Sequence, residues 1–87
     1  MHHDLKCDEH YFAAVKDGRK TFEIRLNDRG FNAGDTVTLN EVRNTTYHTG
    51  RKVEADITYV INYQQQPGWV VFSIKLRDAQ QRQGEGS

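Results

Sequence analysis

The fold is decided by residues 52–76, which read KVEADITYVINYQQQPGWVVFSIKL. Residues 52–59 alternate between apolar and polar side chains, and this two-residue period predicts a strand over residues 52–61 with one buried face. Residues 69–76 are apolar on one face and partly apolar on the other, which indicates a central or barrel strand. Residues 62–66 are polar and precede Pro67, so the whole stretch predicts two strands joined by a loop.

Residues 21–26, TFEIRL, show the same alternation over a shorter distance. Successive side chains of a strand point to opposite faces of the sheet, so this pattern predicts a half-buried strand. The predicted core face carries Phe22, Ile24 and Leu26, and the predicted outer face carries Thr21, Glu23 and Arg25. Lys20 lies at the strand entrance, where its side chain can turn toward the charged face.

The remaining predicted elements are a helix and a further strand. Residues 8–17 predict a helix, because Asp8 is a suitable N-cap, apolar side chains follow at helical spacing and Gly18 favours a left-handed turn. Residues 36–42 predict a strand, and residues 43–50 carry the polar residues of a hairpin loop. One helix and four short strands indicate an α+β domain with a curled, mainly antiparallel sheet. Closure into a small β-barrel would remove the open edges of that sheet.

The length of 87 residues predicts one domain, which we place at residues 1–76. Residues 77–87 are mainly Gln, Arg, Gly and Ser, and this composition predicts a disordered C-terminal tail. The predicted core comprises Phe22, Ile24, Val37, Leu39, Ile57, Tyr59, Val70, Phe72 and Ile74. The 12 basic and 12 acidic side chains cancel, which argues against a strong, sequence-blind binder of polyanions.

Cysteine and histidine usage narrows the classes of function. The single cysteine, Cys7, excludes an internal disulfide framework, and the first residues lack a signal-peptide pattern. No apolar run reaches the roughly 18–20 residues of a membrane span, so we expect a cytoplasmic protein with no membrane partner. The four histidines lack the spacing of metal ligands, and we expect no metal and no cofactor.

The chemically dense stretch is residues 18–25, GRKTFEIR. Arginine offers a rigid fork of donors, lysine a mobile point charge, and glutamate an acceptor for an exocyclic amine. Lys20, Glu23 and Arg25 on one face suit a planar polar ligand, but a solvated strand face with ordinary ion pairs has the same spacing. Both interpretations stay open at this point. Tyr63, in a polar loop, is a candidate for base stacking, and Trp69 is a candidate wall of the cleft.

The spacing Gly18-x-Lys20-x-x-Glu23-x-Arg25 resembles the signature of the ASCH domain, a member of the PUA-like superfamily. Further segments extend the resemblance to an ASCH-related family of unknown function from bacteria and phages. These segments are His3-x-Leu5-Lys6, Tyr11-Phe12-x-x-Val15, Asn27-Asp28-Arg29 and Gly34-Asp35. The resemblance covers roughly residues 1–76, which is almost the whole of the predicted folded part.

This resemblance implies a small PUA-like β-barrel that binds RNA or a nucleotide in a cleft lined by Lys20, Glu23 and Arg25. The complete predicted ligand-binding set is Lys20, Thr21, Glu23, Arg25, Arg29, Tyr63 and Trp69. The first hypothesis is accordingly a module that binds RNA, a nucleotide or a nucleoside.

One branch of the ASCH family contains enzymes that hydrolyse the acetyl amide of acetylcytidine. Their active set is a lysine, a threonine three residues later, and a glutamate in a helical insertion before the last strand. Lys20 matches this set, Glu23 replaces the threonine, and residues 62–68 are too few to hold the insertion. The enzyme alternative is a nucleoside amidohydrolase with Lys20 and Glu23 as its catalytic acid–base pair. A second alternative is a phage or bacterial protein-interaction domain whose charged face contacts a partner.

Overall fold

The computed structural model describes residues 1–77, which form five strands and one helix. In chain order these are β1 (His2–Asp8), α1 (Glu9–Lys16), β2 (Phe22–Leu26), β3 (Thr36–Arg43), β4 (Tyr47–Ile61) and β5 (Trp69–Leu76). The Arg77 amide donates to the Glu54 carbonyl at 2.8 Å, so this residue continues the hydrogen bonding of the sheet. The rest of the tail predicted over residues 77–87 lies outside the described residues.

The strands form a mixed sheet in the order β1-β3-β4-β5-β2, and this sheet curls into a half-barrel. β1 pairs with β3 in parallel, and the other neighbouring strands pair antiparallel. The expected curled, mainly antiparallel sheet is confirmed, but β1 and its parallel pairing were not predicted. Residues 2–8 contain too few apolar side chains to show a period, and β1 and β2 form the two edges of the half-barrel.

α1 forms where the helix was predicted, one residue shorter at each end. Asp8 is its N-cap, and the Asp8 carboxylate accepts the His10 amide at 2.8 Å. Gly18 follows with a φ of +85°, the left-handed conformation that favours glycine at a helix end. Phe12 and Val15 are buried and pack the helix against the sheet. No helix among residues 1–77 is long and apolar enough to cross a membrane.

The core lies between α1 and the inner face of the half-barrel. Its members on β3, β4 and β5 are Val37, Leu39, Val53, Ala55, Ile57, Val70, Phe72 and Ile74. The Phe31 ring, from the connection between β2 and β3, lies 4.9 Å from the Phe72 ring, centroid to centroid. β5 runs between β4 and β2 in the sheet, which agrees with the two-sided apolar pattern of its sequence.

A β-bulge in β4 reverses the predicted faces toward the end of that strand. The register between β4 and β5 shifts between Ile57 and Tyr59. An extra residue in one strand turns the following side chains to the opposite face. Ile57 is consequently 1% exposed, whereas Tyr59 is 64% exposed. The prediction that Tyr59 belongs to the core is therefore wrong.

The side chains of β2 also point to the faces opposite to those predicted. Phe22 and Ile24 were expected in the core, yet they are 42% and 53% exposed, whereas Glu23 is 5% exposed. The pairing with β5 sets Glu23 opposite Phe72, a core residue. Because β2 is an edge strand, its inner face borders an open cleft and accepts charged side chains that compensate one another. Alternation identified the strand correctly but assigned the wrong face to the interior.

Candidate ligand-binding site

A cavity of about 550 Å³ opens where the edges β1 and β2 approach each other, and we call it the seam cavity. All residues of β2 line it, together with Cys7 and Asp8 at the end of β1. Tyr11, Lys20 and Trp69 complete the lining. Neighbouring side chains of a strand point to opposite faces, so a cavity lined by consecutive residues lies along the edge of that strand.

The edge of β2 presents backbone groups to the seam cavity. The Thr21 carbonyl accepts the Ile74 amide at 3.0 Å, and the Asn27 amide donates to the Gly68 carbonyl at 2.8 Å. The odd-numbered residues therefore bond to β5, and the main-chain groups of the residues between them, such as Ile24, point away from it. Among residues 1–77, β2 pairs with β5 alone. A ligand in the cavity thus meets N–H and C=O groups as well as side chains.

Glu23 is the centre of a charged cluster in the seam cavity. Its Oε2 accepts from Lys20 Nζ at 2.9 Å, and its Oε1 accepts from Arg25 Nε at 3.1 Å. The Glu23 side chain is 7% exposed, compared with 19% for Lys20 and 24% for Arg25. Two half-buried cations face one buried carboxylate, so the cluster carries a net positive charge.

Lys20 is held by more than its ion pair. Its Nζ also donates to the Phe22 carbonyl on the edge of β2 at 2.9 Å. The same Nζ lies 4.8 Å from the ring centroid of Phe22 and 5.6 Å from that of Tyr11, which is within the range of cation–π attraction. These contacts fix the ammonium group between two aromatic walls of the cavity.

Arg25 connects the two edges of the half-barrel. Its Nη2 donates to the Lys6 carbonyl on β1 and lies 3.0 Å from Glu23 Oε1. No backbone pairing joins β1 to β2 in the part of the chain that the structure describes, so this side chain bridges the seam. The guanidinium group is thereby fixed at the border of the cavity.

Cys7 lines the seam cavity with a thiol of low reactivity. Burial raises the pKa of this thiol to about 11, and the nearby Glu23 carboxylate adds to the rise. The nucleophilic thiolate is therefore scarce at neutral pH. Cys7 acts here as a small apolar part of the wall. Residues 1–77 contain no group of three His, Cys, Asp or Glu side chains that could hold a metal ion.

Several predicted ligand-binding residues share the seam cavity, namely Lys20, Glu23, Arg25 and Trp69. Thr21 is exposed at the entrance of β2 and does not belong to the lining. Arg29 borders a different cavity, and Tyr63 is 72% exposed on the loop that follows β4. The structure thus brings together the charged cluster and Trp69, and it leaves Thr21, Arg29 and Tyr63 outside this cavity.

The lining residues that were not predicted are Cys7, Asp8, Tyr11, Phe22, Ile24 and Leu26. Apolar alternation does not distinguish a core face from the wall of a cleft, so Phe22, Ile24 and Leu26 were assigned to the core face. No local pattern connects Cys7 with β2, because the approach of the two edges depends on the whole sheet. A usable signal did exist in residues 20–25, since two cations near one carboxylate can compensate its burial.

The fold and the cavity define the class of this protein, a small half-barrel domain with a charged pocket at its open seam. Residues 2–74 match the family described as domain of unknown function (DUF3850). The chain therefore belongs to the DUF3850 family.

The chain is also similar to the uncharacterized 12.9 kDa protein in GpA 3′region of Escherichia phage P2. The two sequences are 45% identical over 58 residues, which are 67% of this chain and 52% of the relative. The chain thus spans about half the length of that relative. Both matches support the predicted bacterial and phage family of unknown function.

Proposed function

We propose that this domain is a small RNA- or nucleotide-binding module whose seam cavity holds a nucleobase. The observation that carries the proposal is the convergence of Lys20, Glu23 and Arg25 on one cavity with mainly apolar and aromatic walls. Ligand sites usually combine a mostly apolar concavity with a few polar groups that fix orientation. The volume of about 550 Å³ lies within the common range of roughly 300–1,000 Å³ for such sites.

The polar groups of the seam cavity suit the edge of a base. Lys20 and Arg25 donate to ring nitrogens and carbonyl oxygens, and Glu23 accepts from an exocyclic amine. An ionised carboxylate has about four acceptor positions, so Glu23 keeps capacity beyond its contacts with the two cations. Main-chain N–H and C=O groups at Ile24 add a donor and an acceptor on the same edge.

Aromatic side chains supply walls on which a base can stack. Tyr11, Phe22 and Trp69 line the seam cavity, and each keeps more than a third of its surface exposed. Stacking of a base on an aromatic side chain contributes about 1–3 kcal/mol and tolerates different bases. Stacking thus supplies affinity, and the charged cluster supplies selection among bases.

The balance of charge favours a short ligand. The chain has 12 basic and 12 acidic side chains, whereas a binder of long polyanions needs a basic surplus for its phosphate contacts. A nucleoside, a nucleotide or a short RNA segment therefore fits better than a long duplex.

We also propose a more specific fold type for the half-barrel. We assign the half-barrel to the PUA-like type because the Gly18-x-Lys20-x-x-Glu23-x-Arg25 spacing resembles the ASCH signature. The charged residues of that motif line the seam cavity, and this location supports the assignment.

The test of the proposed function uses Trp69, the single tryptophan of the chain, as an internal reporter. Adenosine, guanosine, cytidine, uridine and short RNA and DNA strands are titrated at two salt concentrations while tryptophan emission is recorded. We expect a saturable change with at least one nucleoside or RNA, because a base stacked on the indole changes its surroundings.

Matched variants locate the binding. Lys20→Gln and Arg25→Gln are expected to weaken it by about tenfold or more, as is usual for loss of a charge-assisted hydrogen bond. Lys52→Gln and Arg43→Gln remove exposed cations outside the seam cavity and are expected to leave binding unchanged. Unaltered emission across the whole panel, or equal weakening in all four variants, would contradict the proposal.

One contact favours a second candidate, an amidohydrolase that acts on a modified nucleoside such as acetylcytidine. Lys20 Nζ lies 2.9 Å from Glu23 Oε2, which is within reach for proton transfer between an acid and a base. The assay is the release of acetate from acetylcytidine, which Lys20→Gln should abolish while the fold is retained. No release by the unmodified protein, or release that persists in Lys20→Gln, would eliminate this candidate.

A further inference from the structure

A second cavity, of about 380 Å³, lies beside the seam cavity and shares Arg25 with it. Its lining includes Lys6 on β1, Arg29 in the turn after β2, and His48 on β4. The three cations Lys6, Arg25 and Arg29 outnumber Asp4, the one carboxylate in this lining. The second cavity therefore carries a net positive charge.

Two of these cations are weakly engaged by the protein. Arg29 Nε lies 3.8 Å from Asp28 Oδ1, and the two side chains are 48% and 61% exposed. Lys6 is exposed, and no carboxylate among residues 1–77 lies within ion-pair distance of its ammonium group. By contrast, Arg25 is committed to Glu23 and to the Lys6 carbonyl. Lys6 and Arg29 thus keep donors that an anionic ligand can use.

We propose that the second cavity binds the phosphate group of a nucleotide whose base occupies the seam cavity. Phosphate oxygens are strong acceptors, lysine pairs with them as a point charge, and the arginine fork can bind two of them together. The inference rests on the proposed function and narrows its ligand class to a nucleotide or an RNA segment. A free nucleoside would leave the second cavity unused.

The arrangement of the two cavities agrees with the covalent structure of a nucleotide. Cavities that share one side chain are adjacent, and a base is separated from its own phosphate by a single ribose. Arg25 lies at the shared wall, between the predicted positions of base and phosphate. Asp4 would repel a phosphate group, but Lys6 and Arg29, the two cations of this lining that are not committed to Glu23, outnumber it.

The test compares each nucleoside with its 5′- and 3′-monophosphates in the tryptophan titration. We expect one monophosphate to bind about tenfold more tightly than its nucleoside, and this ratio to shrink as salt is raised. In the Lys6→Gln/Arg29→Gln double variant the ratio should fall toward one. In the matched Arg43→Gln/Lys52→Gln double variant it should stay at the wild-type value. Equal affinities in the wild-type protein, or a ratio that survives the first double variant, would overturn the inference.

A separate probe distinguishes failure of the phosphate site from failure of the base site. Ribose 5-phosphate, which has no base, is titrated while backbone amide shifts are recorded by NMR. Shifts at Lys6, Arg29 and His48 support the phosphate site even where no nucleoside changes the tryptophan emission. Nucleoside binding without these shifts overturns the phosphate site alone, and the absence of both responses overturns both proposals.

Discussion

At the residue scale, Glu23 organises the seam cavity. Its side chain is only 7% exposed, and a buried carboxylate is tolerated where nearby cations compensate its charge. Lys20 and Arg25 provide this compensation from positions close to it in the sequence. Because each member of the cluster restrains the others, the groups that would meet a ligand are held in place before binding.

Removal of the Glu23 carboxylate should destabilise the fold. Glu23→Ala leaves Lys20 and Arg25 half buried without their shared partner, and the expected loss is about 1–3 kcal/mol of unfolding free energy. Glu23→Gln keeps the shape and should lose less. Urea unfolding measures both, with Glu54→Gln, an exposed position on β4, as the matched control. A Glu23→Ala variant as stable as Glu54→Gln would show that the cluster does not support the fold.

Another buried carboxylate, Glu41, should make stability depend on acid pH. It accepts from Arg51 Nε at 2.8 Å and Nη2 at 2.9 Å and from the Thr49 hydroxyl, and these bonds lower its pKa from 4.5 to about 2. A lowered pKa in the folded state gives stability that is fully present above pH 4.5 and is lost as the pH falls toward 2.

The measurement for Glu41 is the urea midpoint between pH 6 and pH 2. The wild-type midpoint should fall across this window, and Glu41→Gln should show a smaller fall. A residual fall is expected in the variant, because the His3 side chain lowers the pKa of Asp35 to about 2 as well. Parallel curves for wild type and Glu41→Gln would refute the assignment.

At the scale of elements, β2 is both an edge strand and the wall of a cavity. Its inner face carries Glu23 and Arg25 of the charged cluster, and its outer face exposes Phe22, Ile24 and Leu26 beside the exposed Trp69 of β5. β5, in contrast, has neighbours on both sides and buries Val70, Phe72 and Ile74 on its inner face. Whether the apolar face of an alternating strand is buried thus depends on the position of that strand in the sheet.

The same truncation at two isoleucines tests these strand faces. Ile57→Ala removes a side chain that is 1% exposed and should cost about 2–5 kcal/mol. Ile24→Ala affects a side chain that is 53% exposed and should cost less than about 1 kcal/mol. Thermal or urea unfolding measures both. Equal losses of unfolding free energy would support the strand faces that alternation predicts and contradict those in the structure.

The elements that could be predicted from the sequence are those whose signals are local. Asp8 and Gly18 mark the ends of α1, and the largely apolar sequence of β5 identifies that strand. Two features depend on pairing with other strands, and the local alternation of side chains does not predict them. These are the bulge between Ile57 and Tyr59 and the inward orientation of Glu23. The charged cluster could be predicted because Lys20, Glu23 and Arg25 are close in sequence, whereas the contribution of Cys7 requires the assembled sheet.

At the scale of the whole molecule, the chain path explains why a cavity forms at the seam. The two edges of the sheet, β1 and β2, are joined in sequence by α1 and residues 17–21. This connection contributes Tyr11 and Lys20 to the cavity, and the Arg25 side chain ties β2 to β1. A sheet that stops short of closure thus leaves a pocket lined by both edges and by the helix between them.

An NMR titration that maps where nucleotides bind tests most directly whether the seam cavity is the ligand-binding site. A mixture of the four ribonucleoside 5′-monophosphates is added to the labelled protein, and the backbone amide and indole shifts are followed. We expect the largest shifts in residues 20–26, at Cys7 and at the Trp69 indole. An unchanged spectrum, or shifts confined to surfaces away from β2 and the end of β1, would contradict this expectation.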